Sequence, residues 1–277
     1  MRRVGQALSA ANVAVVYLVH GTFVGDDALG LLSGFSRFFP HAGKTLRQMS
    51  KRLTDRLMGD VGNYTPQFAR RFEESIQIPD RPHIPVRRFE WSSENHHIGR
   101  ADGAVRLIAE LASLELQPGQ RVLLWGHSHA GNVFALATNL LSGDDETIKR
   151  FFDAARVYYR WPLLGCIDLP MWRRVRLLLE SHRRPLAENP LDMVTFGTPI
   201  RYGWDTNGYA KLLHFVHHRP VAGLPDYRVA FPKQLDDVLS AKGGDYVQQL
   251  GIAGTNVAPV PIWWRTWLAD HRLDRIL

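Results

Sequence analysis

Cysteine is almost absent from this chain of 277 residues, in which Cys166 is the only one. An internal disulfide and the cysteine-rich zinc modules are therefore excluded. Apolar runs are short, and none approaches the roughly 18 consecutive residues that a membrane-spanning helix needs. Internal repeats and low-complexity tracts are also missing. We therefore expect one globular domain over residues 1–277, long enough to bury a large core.

Acidic residues are outnumbered, since 27 Asp and Glu stand against 34 Lys and Arg, for a net charge of +7. A basic surface can attract nucleic acid or lipid headgroups. No nucleic-acid-binding signature accompanies the charge, so we expect no nucleic-acid partner. The basic start Met1-Arg2-Arg3 imitates a secretory leader, but polar residues interrupt the apolar stretch after it. We therefore expect a cytoplasmic protein.

Short apolar runs predict five β-strands: Val13–Val19, Ile84–Trp91, Val122–Trp125, Met193–Phe196 and Leu212–Val216. The first, third and fourth are apolar without interruption, as in strands covered on both faces. Helical periodicity follows the second run, from Ala101 to Ala112, and the third, from about His129 to Leu141. This alternation predicts an α/β fold with a mostly parallel central sheet and helices on both faces.

Two segments lie outside the alternation, at about 23–82 and 144–190. The first carries apolar residues and a basic amphipathic helix, and the second carries aromatic residues and an arginine-rich stretch. Each is longer than a simple connection needs, so we expect helices that cap the sheet or the active site. The aromatic residues either pack in the core or form a lid over a lipid-like substrate, with arginines near its phosphate.

The strongest chemical signal is the stretch Val122–Asn132, where a predicted buried strand turns into a helix at Ser128. The pattern Gly126-His127-Ser128-His129-Ala130 is typical of a nucleophile elbow. A serine at such a turn projects its hydroxyl out of the sheet, and small residues two positions to either side allow strand and helix to approach closely. The start of the helix also brings positive dipole charge to a developing oxyanion.

Two more motifs accompany this turn: His20-Gly21-Thr22-Phe23 after the first strand, and Gly197-Thr198-Pro199 after the fourth. With the Ser128 motif, they make most of the chain, from about Val13 onward, resemble the α/β-hydrolase superfamily and its lipase and esterase branches in particular. The resemblance implies a reduced sheet without the first antiparallel strands of larger relatives.

The same resemblance implies roles for residues near the serine. The oxyanion hole would be formed by backbone amides of Thr22 or Phe23 and of His129. The substrate site would be bordered by His20, Gly21, His127 and Thr198. His127 and His129 are interpreted either as shaping the acyl pocket or as packed side chains.

The resemblance also implies a triad in the chain order nucleophile, acid, histidine. His271 is the only histidine beyond His218, and it follows a predicted last strand near Val260 to Trp264. We therefore expect His271 to lie in a loop and to act as the general base for Ser128.

The sequence does not single out one residue as the acid of the triad, because Arg219 stands where many lipases carry an aspartate. Asp245, on a glycine-punctuated turn, is the first choice, since an acid that orients a histidine is expected on a flexible turn before the last strand. Asp205 and Asp226 are alternatives. Each of the three could instead be a turn former that caps local backbone amides.

The 12 histidines raise the question of a metal site. None has a zinc-ligand spacing on one helix face, so we expect no catalytic metal and no cofactor. The stretch Trp91–Asn95 runs toward Arg100 and Asp102 at the start of the next helix. It either borders the substrate site or provides an N-cap and a salt bridge for that helix.

The expected function is a serine hydrolase that cleaves carboxylic esters through an acyl enzyme. Its partner would be a small-molecule or lipid ester, since esterases, lipases, phospholipases and thioesterases share this chemistry. A catalytically inactive hydrolase-like binding module is the alternative from another class. Peripheral membrane contact through the segment 144–190 is a further hypothesis, with or without catalysis.

Overall fold

The computed structural model describes residues 1–21, 64–161, 167–181, 185–220, 222–223, 225, 236–237, 244, 256, 259 and 264–277. The strands in this part of the chain are β1 (Val13–Val19), β2 (Val86–Phe89), β3 (Arg121–His127), β4 (Arg160–Trp161), β5 (Ile167–Asp168), β6 (Leu191–Phe196) and β7 (Lys211–Phe215). The helices are α1 (Arg2–Ala10), α2 (Pro66–Ile76), α3 (His97–Leu111), α4 (Ala130–Ser142), α5 (Asp145–Tyr159), α6 (Pro170–Glu180) and α7 (Trp264–Asp274). A 3-10 turn covers Thr206–Gly208.

The central sheet has five strands in the order β2-β1-β3-β6-β7. Every neighbouring pair in it is parallel. β4 and β5 form a separate antiparallel pair. The predicted α/β class and parallel sheet are therefore confirmed. Residues of β1, β3 and β6 pack in hydrophobic clusters on both faces of the sheet, which agrees with their continuous apolar sequences.

Two hydrophobic clusters cover the two faces of the sheet. Alternate residues of β1 divide between them, because successive side chains of a strand point to opposite faces. Tyr17 and Val19 belong to the larger cluster, with residues of α3 to α6, and Val16 and Leu18 belong to the smaller one, with residues of α2. Helices therefore lie on both faces, as the sequence predicts.

The bounds of the second to fifth predicted strands differ from those of β2, β3, β6 and β7 by one or two residues. The second strand ends before Trp91, whose indole Nε1 donates a 2.8 Å hydrogen bond to the His20 carbonyl. Trp264, predicted to end a last strand, instead begins α7. The rest of that prediction, residues 260–263, lies outside the described residues.

Four aromatic side chains of α5 pack around Trp172 of α6. Its ring is fully buried and stacks on Tyr159, at a centroid distance of 4.9 Å. Its indole Nε1 donates to Asp102 Oδ1 of α3 at 2.8 Å. Phe151, Phe152 and Tyr158 are buried beside it. The packing interpretation is therefore confirmed for these side chains, and the lid interpretation is wrong for them because the core encloses them.

The first predicted insertion is only partly described, because residues 22–63 lie outside the described part. Its last part forms α2, which begins with a Thr65 cap and buries Phe72 and Ile76 against the sheet. No helix in the described ranges combines the length and the apolar character that crossing a bilayer requires.

Candidate functional site

Ser128 lies between the end of β3 and the start of α4, with a backbone φ of 55°. This left-handed conformation is uncommon for a residue with a side chain. The Ser128 N–H donates to the Phe196 carbonyl at 2.8 Å, and the Ser128 carbonyl accepts from the Thr198 hydroxyl at 2.9 Å. The turn is therefore held on both sides, and the sharp strand-to-helix geometry predicted at Ser128 is present.

Small residues surround this turn at close range. A Cβ added to Gly126 would lie 2.6 Å from Phe134 Cε2 and 3.0 Å from the Ala130 Cβ. A Cβ added to Gly21 would lie 2.8 Å from the Ser128 Cβ. Both positions therefore exclude a larger side chain, and the segment that follows β1 touches the serine directly.

His271 does not lie where the sequence predicts it. It belongs to the last turn of α7 rather than to a loop, and its side chain is exposed. Arg275 Nη2 lies 3.0 Å from its Nε2, and its ring stacks on Trp267 at 5.6 Å. Among the described residues, no hydrogen bond joins His271 to Ser128. Its role as the base remains a prediction.

The sequence of α7 explains this orientation. The residues that face the core are spaced three and four apart, which places them on one side of the helix. His271 falls outside that side. The buried set consists of Thr266, Ala269, Asp270 and Leu273.

The acid candidates fall into two groups. Asp226 and Asp245 lie outside the described residues, although Gly244 pairs with His218 in an isolated antiparallel bridge. Asp205 caps the 3-10 turn, where its carboxylate accepts from the Asn207 N–H at 2.9 Å. The Asp205 carboxylate therefore caps a local backbone amide, as the turn-former alternative predicted.

Two predicted oxyanion residues, Thr22 and Phe23, also lie outside the described residues. The third, His129, is buried directly after Ser128. No backbone hydrogen bond in the described ranges uses its N–H. That amide is therefore available for a substrate oxygen.

The His129 ring is held by Asn132 of α4. The Asn132 side-chain amide donates to His129 Nδ1 at 3.1 Å and to the Pro199 carbonyl at 2.7 Å, and its oxygen accepts from the Arg201 N–H at 3.2 Å. Because Nδ1 accepts, a neutral ring carries its proton on Nε2. Burial, followed by the charges of Arg100 and Arg201, lowers the pKa of His129 to about 3.

The other predicted substrate residues lie at the ends of the central strands. His20 and Thr198 are buried, and His127 is half-buried as the last residue of β3. Gly131 lies against the Thr198 side chain. The structure therefore brings Gly21, Thr198 and His129 together around Ser128.

From the sequence, Arg100 was placed at the start of the helix after the second strand, but the burial of its side chain beside this region was not predicted. Arg100 has no exposed surface, and its guanidinium donates to three neutral oxygens. Nε bonds to the Tyr202 hydroxyl at 2.7 Å, Nη1 to Asn95 Oδ1 at 2.9 Å and Nη2 to Asn256 Oδ1 at 2.7 Å. The spacing in the sequence could have indicated this burial, because Arg100 lies on the same face of α3 as Ala104 and Leu111.

The start of α3 carries further buried polar groups. His96 is its N-cap, with Nδ1 accepting from the Gly99 N–H at 2.9 Å. Its Nε2 therefore carries the ring proton, 3.5 Å from Glu94 Oε1. The predicted N-cap from the stretch Trp91–Asn95 is therefore wrong, because the cap is the next residue, His96, and the ion pair of Asp102 is with Arg106 of the same helix.

Comparisons of the chain with protein-family models, with curated proteins and with solved structures found no match. The geometry around Ser128 is therefore the observation that bears on function.

Proposed function

We propose that this protein is a serine hydrolase of the α/β-hydrolase type that cleaves carboxylic esters, with Ser128 as the nucleophile. The observation that carries the proposal is the left-handed backbone of Ser128, at φ 55°, between a central parallel strand and a helix. Strained backbone persists where surrounding structure determines it and is concentrated at functional sites. A nucleophile elbow has this arrangement.

In the proposed reaction, Ser128 Oγ bonds to the ester carbonyl carbon while its proton passes to a base. The carbonyl oxygen becomes an oxyanion, which the His129 N–H and the positive end of α4 stabilise. When the carbonyl re-forms, the bond to the leaving alkoxide breaks and the alkoxide takes the proton. Water then attacks the acyl enzyme by the same sequence, releasing the acid and restoring Ser128.

His271 and Asp245 complete the triad in this proposal, on the strength of the sequence order alone. The contacts of His271 with Arg275 and Trp267 do not support the assignment. The His271→Ala variant tests it separately from Ser128. A base variant is expected to lose at least a hundredfold in activity.

The substrate class proposed is a small-molecule or lipid carboxylic ester. The aromatic side chains around Trp172 do not favour a lipid, because they are buried in the core.

A fluorophosphonate probe tests the nucleophile. On reaction, an Oγ–P bond forms, the P–F bond breaks, and fluoride leaves together with the serine proton. We expect one adduct, located at Ser128 by peptide mass spectrometry, and none in the Ser128→Ala variant. Ser113→Ala is the matched control and should be labelled at the wild-type rate, because Ser113 is exposed at the end of α3. A folded wild-type protein without label would contradict the proposal and support a non-catalytic binding module.

A further inference from the structure

We propose that Ser93 is a positioning residue for hydrolysis. Its hydroxyl holds the Gly21 carbonyl, so that Gly21 stays in contact with Ser128. This inference rests on the proposed role of Ser128 as the nucleophile. Ser93 lies in the loop between β2 and α3, and its side chain has no exposed surface.

The Ser93 hydroxyl makes two contacts with the segment after β1. It donates to the Gly21 carbonyl at 2.8 Å, and its oxygen lies 3.0 Å from His20 Nδ1. A hydroxyl has one hydrogen, so the hydrogen in the second contact comes from His20 Nδ1. His20 Nδ1 also lies 3.0 Å from the Gly21 carbonyl. Because Nδ1 carries one hydrogen, that hydrogen is shared between the Ser93 oxygen and the Gly21 carbonyl, and the Ser93 hydroxyl is the donor directed at this carbonyl alone.

The Ser93 backbone is left-handed, with φ 62°. Such a backbone is unfavourable for a residue with a Cβ and persists only where its surroundings determine it. The neighbouring Trp91 supplies part of those surroundings. Its Nε1 donates to the His20 carbonyl at 2.8 Å, and its ring stacks on the His20 ring at 6.1 Å. Trp91 and Ser93, which follow β2, thus contact His20 and Gly21, which follow β1, through several hydrogen bonds and a ring stack.

The orientation of the Gly21 carbonyl affects Ser128 because the two residues touch. A Cβ on Gly21 would lie 2.8 Å from the Ser128 Cβ and 3.3 Å from its Oγ. A peptide unit is planar, so holding the carbonyl oxygen fixes the orientation of that unit. A carbonyl free to turn toward the oxyanion would repel it, and oxyanion stabilisation depends on dipoles that are oriented before the reaction.

Two variants separate the hydroxyl from the backbone. Both Ser93→Ala and Ser93→Gly remove the hydroxyl, but only glycine accepts φ 62° without strain. Ser92→Ala is the matched control, because Ser92 is buried and its hydroxyl has no hydrogen-bond partner in the described part of the chain. The measurements are the second-order rate of fluorophosphonate labelling, kcat and KM with p-nitrophenyl acetate, and Tm.

We expect both Ser93 variants to label about tenfold to a hundredfold more slowly than wild type. This loss is smaller than the factor of about a hundredfold or more that removal of an oxyanion-hole donor costs, because the variants loosen a carbonyl and remove no such donor. The loss should fall on kcat, with KM unchanged. Ser92→Ala should label at the wild-type rate. Ser93→Gly should match or exceed Ser93→Ala in Tm, so that loss of activity does not follow loss of stability.

Every other outcome contradicts either the role of the Ser93 hydroxyl or the proposed function. Wild-type labelling at Ser128 with a normal rate in Ser93→Gly would overturn the role of the Ser93 hydroxyl and leave the proposed function in place. The same conclusion would follow if Ser93→Ala were slow and Ser93→Gly normal, because the glycine variant also lacks the hydroxyl. An unlabelled wild-type protein would overturn the proposed function and this inference with it.

Discussion

Asp270 Oδ1 accepts a hydrogen bond of 2.9 Å from the backbone N–H of Ile98. Ile98 lies in the first turn of α3, where N–H groups have no partner within the helix. The carboxylate also meets the positive end of the α3 dipole. Asp270 is only 5% exposed, so this buried contact attaches α7 to the start of α3.

Replacing Asp270 should therefore weaken the fold. Asp270→Ala leaves the Ile98 N–H without its acceptor, and we expect the free energy of unfolding to fall by about 2 kcal/mol. Asp270→Asn keeps an acceptor oxygen and should lose less. Urea denaturation measures both. The neighbouring exposed His271, changed to Ala, should alter stability by less than about 0.5 kcal/mol. Equal losses in Asp270→Ala and His271→Ala would contradict the capping role.

Arg100 gives a second stability prediction. Lysine carries the same charge but lacks the planar fork that reaches Asn95, Tyr202 and Asn256 together. We expect Arg100→Lys to lower the free energy of unfolding by about 3 kcal/mol, because buried acceptors lose their donors. Arg106→Lys on the same helix is the control. The Arg106 side chain is 37% exposed and pairs with Asp102, and its replacement should cost less than about 1 kcal/mol by urea unfolding. A small effect of Arg100→Lys would contradict the prediction.

The sheet and the helices beside it could be predicted because their signals are local. β1 matches its predicted bounds, Val13–Val19, since a strand covered on both faces has a continuous apolar run. The helix after β3 also matches closely, because its periodicity and Gly143 mark its ends. The pair β4–β5 has two residues in each strand, too few for a period. It was not predicted.

In the candidate site, too, the local features could be predicted and the long-range contacts could not. The turn at Ser128 was predictable because strand, turn and helix are contiguous in the sequence. The surroundings of Arg100 were not, because its partner Asn256 and the α3 cap Asp270 are far away in the chain. His271 was predicted as the base because of the order of triad residues in the family. Whether its side chain is buried depends on which face of α7 packs against the rest of the protein, and that order does not give this face. Asp270, its neighbour, is the buried residue.

Gly126 gives a prediction about the close approach of β3 and α4. An alanine there would place its Cβ 2.6 Å from the ring of Phe134. We expect Gly126→Ala to lower the free energy of unfolding by about 2 kcal/mol, because an overpacked core forces its neighbours to shift. Gly203→Ala is the control, since a Cβ at Gly203 would meet no atom of the described residues within 4 Å. Thermal unfolding compares them, and equal Tm values for the two variants would contradict the close approach.

Two buried histidines make stability depend on pH. Burial, with Arg100 and Arg201, lowers the pKa of His129 to about 3. Burial and Arg100 lower the pKa of His97 to about 4, although Asp270 and Asp274 act in the opposite direction. In the unfolded chain a histidine has a pKa of about 6.5. Below that pH the unfolded state binds protons that the folded state does not, so stability falls as the pH falls.

The His129→Gln variant tests this dependence. Between pH 6.5 and pH 5 each neutral buried histidine should reduce the free energy of unfolding by about 2 kcal/mol, since one unit of pKa corresponds to about 1.4 kcal/mol. Glutamine does not titrate, so the difference between urea unfolding at pH 7 and at pH 5 should shrink by about 2 kcal/mol relative to wild type. Ser113→Ala, an exposed substitution that removes no titrating group, should keep the wild-type difference. If His129→Gln also kept it, His129 would not be the neutral buried histidine that its contacts with Asn132 indicate.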